Sequence, residues 1–267
     1  MLCSDRRSAN SEPRYTRAWQ ACILEEEITG GDAELLDSRF YYRDTDGIGR
    51  CTSDLARKIG AKFLRRLSQL DSFITPEWLR RVEVHGSNPC VLGFIVERIT
   101  IGHIITKGLV HAGDEFQGGL KPVKFSSTPP PVGSGDGAWV FIPEDFNYPA
   151  VDAVLVAKKA NKGVIVGVQI TIDADHKNTE ADFNTKYEQW KIVVGLSDVE
   201  FRFLWIEADT KGTTGALYEW KAVEVRDMEM RSGHRVMRTR YTSRHIGFDL
   251  INEDLSAELE KARNLSA

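Results

Sequence analysis

The sequence lacks long apolar runs and any ordered pattern of cysteines. It contains no stretch of about eighteen uncharged apolar residues, which is the length that a membrane-spanning helix requires. Its four cysteines are scattered, with no CxxC pair and no histidine at ligand spacing beside them. We therefore expect no membrane segment, no structural zinc site and no disulfide scaffold, and we expect a reducing compartment inside a cell.

Several short motifs of well-known enzyme classes are absent as well. The patterns GxxxxGK[ST], HExxH, GxSxG and GxGxxG do not occur, so no motif supports a P-loop NTPase, a zincin, an α/β-hydrolase or a dinucleotide enzyme. The formal net charge of −4 argues against a protein that coats nucleic acid nonspecifically. The remaining composition, 42% apolar and 28% charged, is typical of a globular protein.

The first third of the chain, residues 1–87, is predicted to be a helical N-terminal region. Tyr15 to Ile28 and Ser53 to Leu70 both carry apolar residues at helical spacing, and Ser53 is a suitable N-cap. The other face of the second helix is basic, which is typical of a solvated surface or of one that faces phosphates. Thr75-Pro76 begins a third, short helix with proline at its first position.

Residues 88–210 are predicted to form an α/β core. A helix runs from Asn88 to about Lys107, and a loop rich in glycine and proline extends from Ala112 to Gly137. Four β-rich runs and one more helix come next, in the order strand, strand, strand, helix, strand. The strands are Ala138–Ile142, Val151–Ala157, Gly163–Ile172 and Val199–Ile206, and the helix is Thr179–Gly195. Residues 211–267 are predicted to be a basic extension that packs on this core.

Polar residues interrupt two of the predicted strands. Asp152 begins the second strand, directly ahead of an apolar run, and is interpreted either as a cation ligand or as a turn residue. Gln169 and Thr171 share one face of the third strand, where each would cost about 1–3 kcal/mol if buried without a partner. They are expected either to bond each other and nearby backbone or to meet Asp152 across the hairpin.

An aspartate at the head of the second strand, followed by a polar-x-polar pair in the third, resembles the layout of the PD-(D/E)xK nucleases. More narrowly, Tyr148–Val156, Val168–Ile172 and His176 resemble the nuclease domain of the Crinkler and retrotransposon-hot-spot effector families. The resemblance covers less than half of the chain. It implies a restriction-endonuclease-like α-β-β-β-α-β core, Mg²⁺ or Mn²⁺ as cofactor, DNA as substrate and a nuclear location in a host cell.

The resemblance also implies roles for individual residues. Asp152 corresponds to the metal-binding aspartate, Gln169 to the second acidic position and Thr171 to the lysine position. Some members add a glutamate from the preceding helix, for which Glu97 is the candidate, although it is also interpreted as an ordinary exposed helical residue. His176 is predicted to assist proton transfer or to bond backbone.

The chain departs from the family pattern at two of these positions. Gln169 offers an amide oxygen without charge, and Thr171 has no ammonium group to stabilise a developing phosphorane. A lysine elsewhere would have to replace that ammonium; the candidates are Lys158, Lys159, Lys162, Lys186 and Lys191. The alternative is a catalytically silent effector that binds nucleic acid or a host protein.

A basic run from Arg231 to His245 contains five arginines and no acid. Arg235, Arg238, Arg240 and Arg244 are predicted to contact the phosphates of nucleic acid. Runs of this kind also serve as localisation signals or bind acidic protein surfaces.

Overall fold

The structure, a computed structural model, describes residues 11–53, 55–57, 59–60, 75–86, 89–144, 148, 151–172, 179–208, 219–223 and 241–266. The chain divides into two compact units, residues 1–68 and 69–267. The predicted three-part division, with boundaries after residues 87 and 210, stays a prediction. None of the described helices is both long enough and apolar enough to cross a bilayer.

The described part of the first unit includes two helices near its start and a short hairpin. Helices α1 (Ser11–Leu24) and α2 (Gly30–Ala33) are followed by antiparallel strands β1 (Tyr41–Arg43) and β2 (Gly49–Cys51). Helix α1 begins and ends four residues earlier than predicted, and the residue after it, Glu25, has a left-handed backbone conformation with φ of 57°.

The second predicted helix lies largely outside the described residues, but its start is described. The Ser53 hydroxyl accepts a hydrogen bond of 3.1 Å from the Ala56 amide, as expected of an N-cap. Leu55 and Ile59 of the predicted apolar face are 67% and 57% exposed, whereas Ala56 is buried. The side of this helix that faces inward carries the small residues Ala56 and Gly60. A Cβ at Gly60 would lie only 2.9 Å from Ile23, so the close packing there requires a residue without a side chain.

The second unit contains a long buried helix. Helix α3 (Pro76–Val84) begins after Thr75 as predicted, and α4 (Pro89–Lys107) confirms the second predicted helix of this region. Apolar side chains on every side of α4 are buried, which compensates for its many β-branched residues. The C-terminal helix α7 (Glu253–Ser266) packs on α3.

A mixed sheet, with seven strands among the described residues, forms the centre of this unit, which is therefore of the α/β class. The strands are β3 (Lys121–Phe125), β4 (Gly137–Pro143), β5 (Ala153–Lys159), β6 (Lys162–Thr171), β7 (Val199–Glu207), β8 (Lys221–Val223) and β9 (Tyr241–Gly247). Their spatial order is β3-β4-β5-β6-β7-β9-β8. Strands β4, β5 and β6 form an antiparallel meander, whereas β6, β7 and β9 run parallel.

The turn between β5 and β6 sets the register of this hairpin. Ala160 and Asn161 both have positive φ, 47° and 64°, which is the signature of a two-residue type I′ turn. Lys159 therefore pairs with Lys162 at the turn, and Ala153 pairs with Val168 at the other end. Because side chains alternate between the two faces, this register decides which polar residues meet.

One predicted helix is divided in two. Helices α5 (Thr179–Asn184) and α6 (Tyr187–Val194) replace the single helix expected over 179–195, although the left-handed Gly195 ends α6 as predicted. The Thr185 hydroxyl donates to the Asp182 carbonyl at 2.6 Å and so competes with helical backbone bonding at the break. Phe183 and Trp190 from the two helices are fully buried against the sheet.

Five of the described strands lie where no strand was predicted: β1 and β2 in the region predicted to be helical, and β3, β8 and β9 in the sheet. Strand β3 and the short 3₁₀ turn Asp114–Phe116 fall within the predicted loop, a second such turn, Val110–Ala112, lies at its start, and β9 overlaps the basic run. Strands β3 and β9 are weakly apolar, and they form because each finds a partner in the sheet, β4 for β3 and β7 for β9.

Candidate active site

The strand order brings polar residues from distant parts of the chain to one edge of the sheet. Parallel strands β6, β7 and β9 all end at this edge, and the antiparallel strand β5 begins there. The carboxyl ends of parallel strands are the usual location of ligand sites in open α/β sheets. Asp152, Gln169, Thr171, Glu207 and His245 lie at these strand ends.

Asp152 and Gln169 meet across the hairpin, as the second of the two interpretations expects. The Asp152 carboxylate oxygen Oδ2 accepts hydrogen bonds from Gln169 Nε2 at 2.8 Å and from the Ile170 amide at 2.7 Å. The Asp152 amide in turn donates to the Val168 carbonyl at 2.9 Å. One side chain, that of Gln169, and the backbone thus hold the half-buried Asp152 carboxylate in one orientation.

Thr171 and Glu207 lie further out along the same edge. They are register partners on β6 and β7, and both are partly buried. Because alternate residues share a face, Thr171 lies on the same side of the sheet as Gln169. The edge therefore carries a hydroxyl and a second carboxylate beside the pair formed by Asp152 and Gln169.

Glu207 also contacts a histidine that the sequence did not single out as a site residue. Nδ1 of His245 lies 3.2 Å from Oε1 of Glu207, and the imidazole stacks on the Trp205 indole with a centroid separation of 5.8 Å and an interplanar angle of 12°. The His245 side chain is 40% exposed. The sequence did contain a signal for this contact. Glu207 is an acid at the end of the apolar strand β7, just as Asp152 is an acid at the start of the apolar strand β5.

A third carboxylate, that of Glu180 on α5, is surrounded by hydrogen-bond donors. It accepts from the indole N–H of Trp205, from the Tyr241 hydroxyl at 2.8 Å and from the Ser243 hydroxyl at 2.7 Å. Burial, and then the bond to Glu180, raise the pKa of Tyr241 well above its usual range. Tyr241 is therefore a stable donor, and Glu180 attaches α5 to β7 and β9.

Glu97 is buried, which contradicts the interpretation as an exposed helical residue. It is 7% exposed, and its carboxylate accepts a hydrogen bond from the buried guanidinium of Arg98. Arg98 in turn lowers the pKa of Lys124 on β3, after the larger effect of burial and against the opposing effect of Glu144. Glu97 thus belongs to a region of buried charges that includes Arg98.

Comparison with known proteins finds no match. No family model, no curated protein and no solved structure matches the chain.

The lysines of the hairpin turn are far from Asp152. Lys159 and Lys162 pair at the end of the hairpin opposite to Asp152, and seven residues of strand at about 3.3 Å each separate them from it by roughly 20 Å. The idea that one of them, or Lys158 beside them, replaces the missing ammonium is therefore wrong. Lys186 directly precedes α6, and the ammonium of Lys191 lies 5.8 Å from the Tyr187 ring.

The other predicted nucleic-acid and proton-transfer residues are only partly described. His176, Arg235, Arg238 and Arg240 lie outside the described residues. Arg244 lies within β9, where its Nη1 donates to the His111 carbonyl at 2.8 Å and its guanidinium lies 5.7 Å from the centre of the Trp220 ring. Its contact with phosphate stays a prediction.

The possible ligand atoms at this edge of the sheet suit a hard cation better than a soft one. Asp152 offers a carboxylate, Gln169 an amide and Thr171 a hydroxyl, and oxygen ligands of this kind are those that Mg²⁺ and Mn²⁺ prefer. Within the described ranges, no group of three or more His, Cys, Asp or Glu side chains could hold a metal ion. A cation here would consequently keep several water ligands, as Mg²⁺ commonly does.

Proposed function

We propose that this protein is a metal-dependent nuclease that cleaves phosphodiester bonds of DNA, as in Crinkler-type effectors that act in a nucleus. The contact between Asp152 and Gln169 at the carboxyl edge of the sheet is the observation that carries the proposal. It brings together the two residues that correspond to the metal-binding aspartate and to the second acidic position of the nuclease pattern.

The order of the elements supports a restriction-endonuclease-like core. Helix α4, the meander β4-β5-β6, helices α5 and α6 and strand β7 follow the sequence helix, three strands, helix, strand. The fourth of these strands pairs in parallel with the third. Strands β3, β8 and β9 are then additions at the two sides of this core.

In this proposal the chain's own residues hold the cation. Asp152 would hold Mg²⁺ or Mn²⁺ with the amide oxygen of Gln169 and with water, and Glu97 is the proposed additional ligand. The bound cation supplies charge to polarise the scissile phosphate and to acidify the attacking water. The hydrogen bonds from Gln169 and Ile170 keep the carboxylate in place, so that it does not have to be reoriented when the cation binds.

A catalytically silent protein that binds nucleic acid or a host protein is the second candidate. It is favoured because a nuclease of this pattern usually places two acids near the cation, whereas the described part of the chain has no group of three or more His, Cys, Asp or Glu side chains that could hold a metal ion. The uncharged Gln169 and Thr171 favour it as well. The two candidates differ in one property that is simple to measure, cleavage of DNA that depends on a divalent cation.

Plasmid nicking with Mg²⁺ or Mn²⁺ tests the proposal. We expect the unmodified protein to nick supercoiled DNA, and Asp152→Ala and Asp152→Asn to lose activity by at least about a hundredfold, or about 2.7 kcal/mol of barrier. Asp198→Asn is the matched control, because Asp198 is exposed and lies beside the far end of β6, where its carbonyl accepts from the Gly163 amide. An unmodified protein that is inert with both cations would overturn the nuclease proposal and favour the silent candidate instead.

A further inference from the structure

His245 has the features of a rigid and accessible aromatic surface. Trp205 supports one face of its imidazole, with the two rings 12° from parallel, and the Glu207 carboxylate holds Nδ1 at 3.2 Å. Trp205 is itself fixed, because its indole N–H bonds to Glu180 and the residue is 4% exposed. The His245 side chain nevertheless remains 40% exposed.

The distance from Asp152 excludes one obvious role for this histidine. Gln169, Trp205 and His245 are successive register partners across β6, β7 and β9, so His245 lies two strand spacings, or about 10 Å, from Gln169 at the level of the backbone. A general base must lie within about 3 Å of the proton that it removes, or reach it through one water. His245 is therefore too far away to activate a water bound at Asp152.

The same distance suits a neighbouring nucleotide. Stacked nucleotides of one strand rise by roughly 3.4 Å each, so a base within about three nucleotides of a phosphate at Asp152 would lie over β9. Single strands are bound without strong sequence preference by aromatic side chains on which their bases stack. Rings that are already fixed lose little conformational freedom when a base stacks on them.

We infer that His245, supported by Trp205 and Glu207, is a stacking site for an unpaired base of the nucleic-acid strand. The inference rests on the proposed function, since it takes Asp152 as the position of the phosphate. It assigns to the edge of the sheet a binding function separate from bond cleavage. The Glu207 carboxylate is in contact with the imidazole, and the Glu180 carboxylate bonds to the indole N–H of Trp205.

A fluorescent single-stranded DNA tests this assignment. A short oligonucleotide carries 2-aminopurine, whose emission falls on stacking, at one position that is moved along the strand, and EDTA prevents cleavage. We expect the unmodified protein to quench the emission at particular positions. We expect His245→Ala to abolish that quenching and to weaken binding about tenfold, within the usual range for the loss of one stacked base.

Aromatic replacement separates stacking from other roles of the histidine. His245→Phe and His245→Trp should restore quenching and affinity to within about threefold of the unmodified protein, because they keep the π-face and lose the imidazole nitrogens. His103→Ala, which removes a half-buried histidine of α4, is the matched control and should behave as the unmodified protein. Thermal unfolding of each variant establishes that the fold is retained.

The possible failures are distinguishable. Binding and quenching that persist in a folded His245→Ala variant would overturn the stacking site and leave the proposed nuclease function intact. Failure of the aromatic variants to restore quenching would also overturn it, in favour of a role for the nitrogens. A protein that binds no DNA and nicks no plasmid would overturn the proposed function and the stacking site together.

Discussion

At the scale of single residues, Glu180 is the acceptor for three donors from β7 and β9. Removing its carboxylate with Glu180→Ala would leave the donors of Trp205, Tyr241 and Ser243 without this acceptor. Each unsatisfied buried donor costs about 1–3 kcal/mol, but water enters a half-buried site, so we expect a total loss of about 2 kcal/mol in the free energy of unfolding. Urea unfolding followed by tryptophan fluorescence measures it.

Glu188→Ala provides the control for this change. Glu188 lies in the first turn of α6, is exposed and has the same side chain, so its removal should alter stability by less than about 0.5 kcal/mol. Equal stability of the two variants would show that Glu180 does not attach α5 to the sheet.

The raised pKa of Tyr241 predicts a dependence of stability on pH. The pKa of Tyr241 is raised in the folded state by burial and then by Glu180. Its contribution to the free energy of unfolding is therefore fully present below the unfolded pKa of about 10 and is lost as the pH rises through the folded pKa. Between about pH 8 and about pH 11, the unmodified protein should lose about 1 kcal/mol more stability than Tyr241→Phe. The control is Tyr42→Phe, which replaces an exposed tyrosine of β1 and keeps Tyr241. It should lose as much stability over this pH range as the unmodified protein.

At the scale of elements, the packing of α5 on β6 depends on a residue without a side chain. A Cβ at Gly167 would lie 2.5 Å from the Phe183 ring of α5, well inside contact distance. We expect Gly167→Ala to lower the free energy of unfolding by about 1–3 kcal/mol, because overpacking displaces the helix. Gly133→Ala should have little effect, since a Cβ there would meet no atom within 4 Å. If both variants have the unmodified protein's stability in urea, this account of the helix packing is wrong.

The type I′ turn between β5 and β6 predicts a stabilising change. Ala160 has φ of 47°, a region that alanine adopts at a cost of about 1–2 kcal/mol, whereas Asn-Gly is the preferred pair in this turn. Replacing Ala160 and Asn161 by Asn and Gly should raise the free energy of unfolding by about 1 kcal/mol. Asn161→Val should lower it, because a β-branched residue is disfavoured at positive φ. The same urea experiment measures both, and a destabilised Asn-Gly variant would contradict the assigned turn.

The elements differ in how far the sequence could predict them, for a physical reason. Strands β5 and β6 are rich in Val and Ile and are joined by a short turn, so local pattern was sufficient, and their register then implied the meeting of Asp152 and Gln169. Strands β3 and β9 contain proline or arginine and are stabilised by pairing with distant strands, which no local window contains. The contact between Glu207 and His245 was missed for the same reason, since it exists only because β9 pairs with β7.

At the scale of the whole molecule, the basic run should dominate the salt dependence of DNA binding. If Arg235, Arg238 and Arg240 contact phosphates, changing all three to Ala should flatten the slope of log affinity against log salt by about 2–3, at roughly 0.9 per contact. Triple replacement of Lys158, Lys159 and Lys162 by Ala is the matched control, because it removes the same three charges from the far end of the hairpin. If only the net charge of the protein mattered, the two triple variants would change the slope equally. If the basic run binds phosphates, only the arginine variant changes it. Fluorescence anisotropy with duplex and single-stranded DNA over a range of salt concentrations makes the comparison, and an unchanged slope in the arginine variant would indicate that the run binds protein or acts in targeting instead.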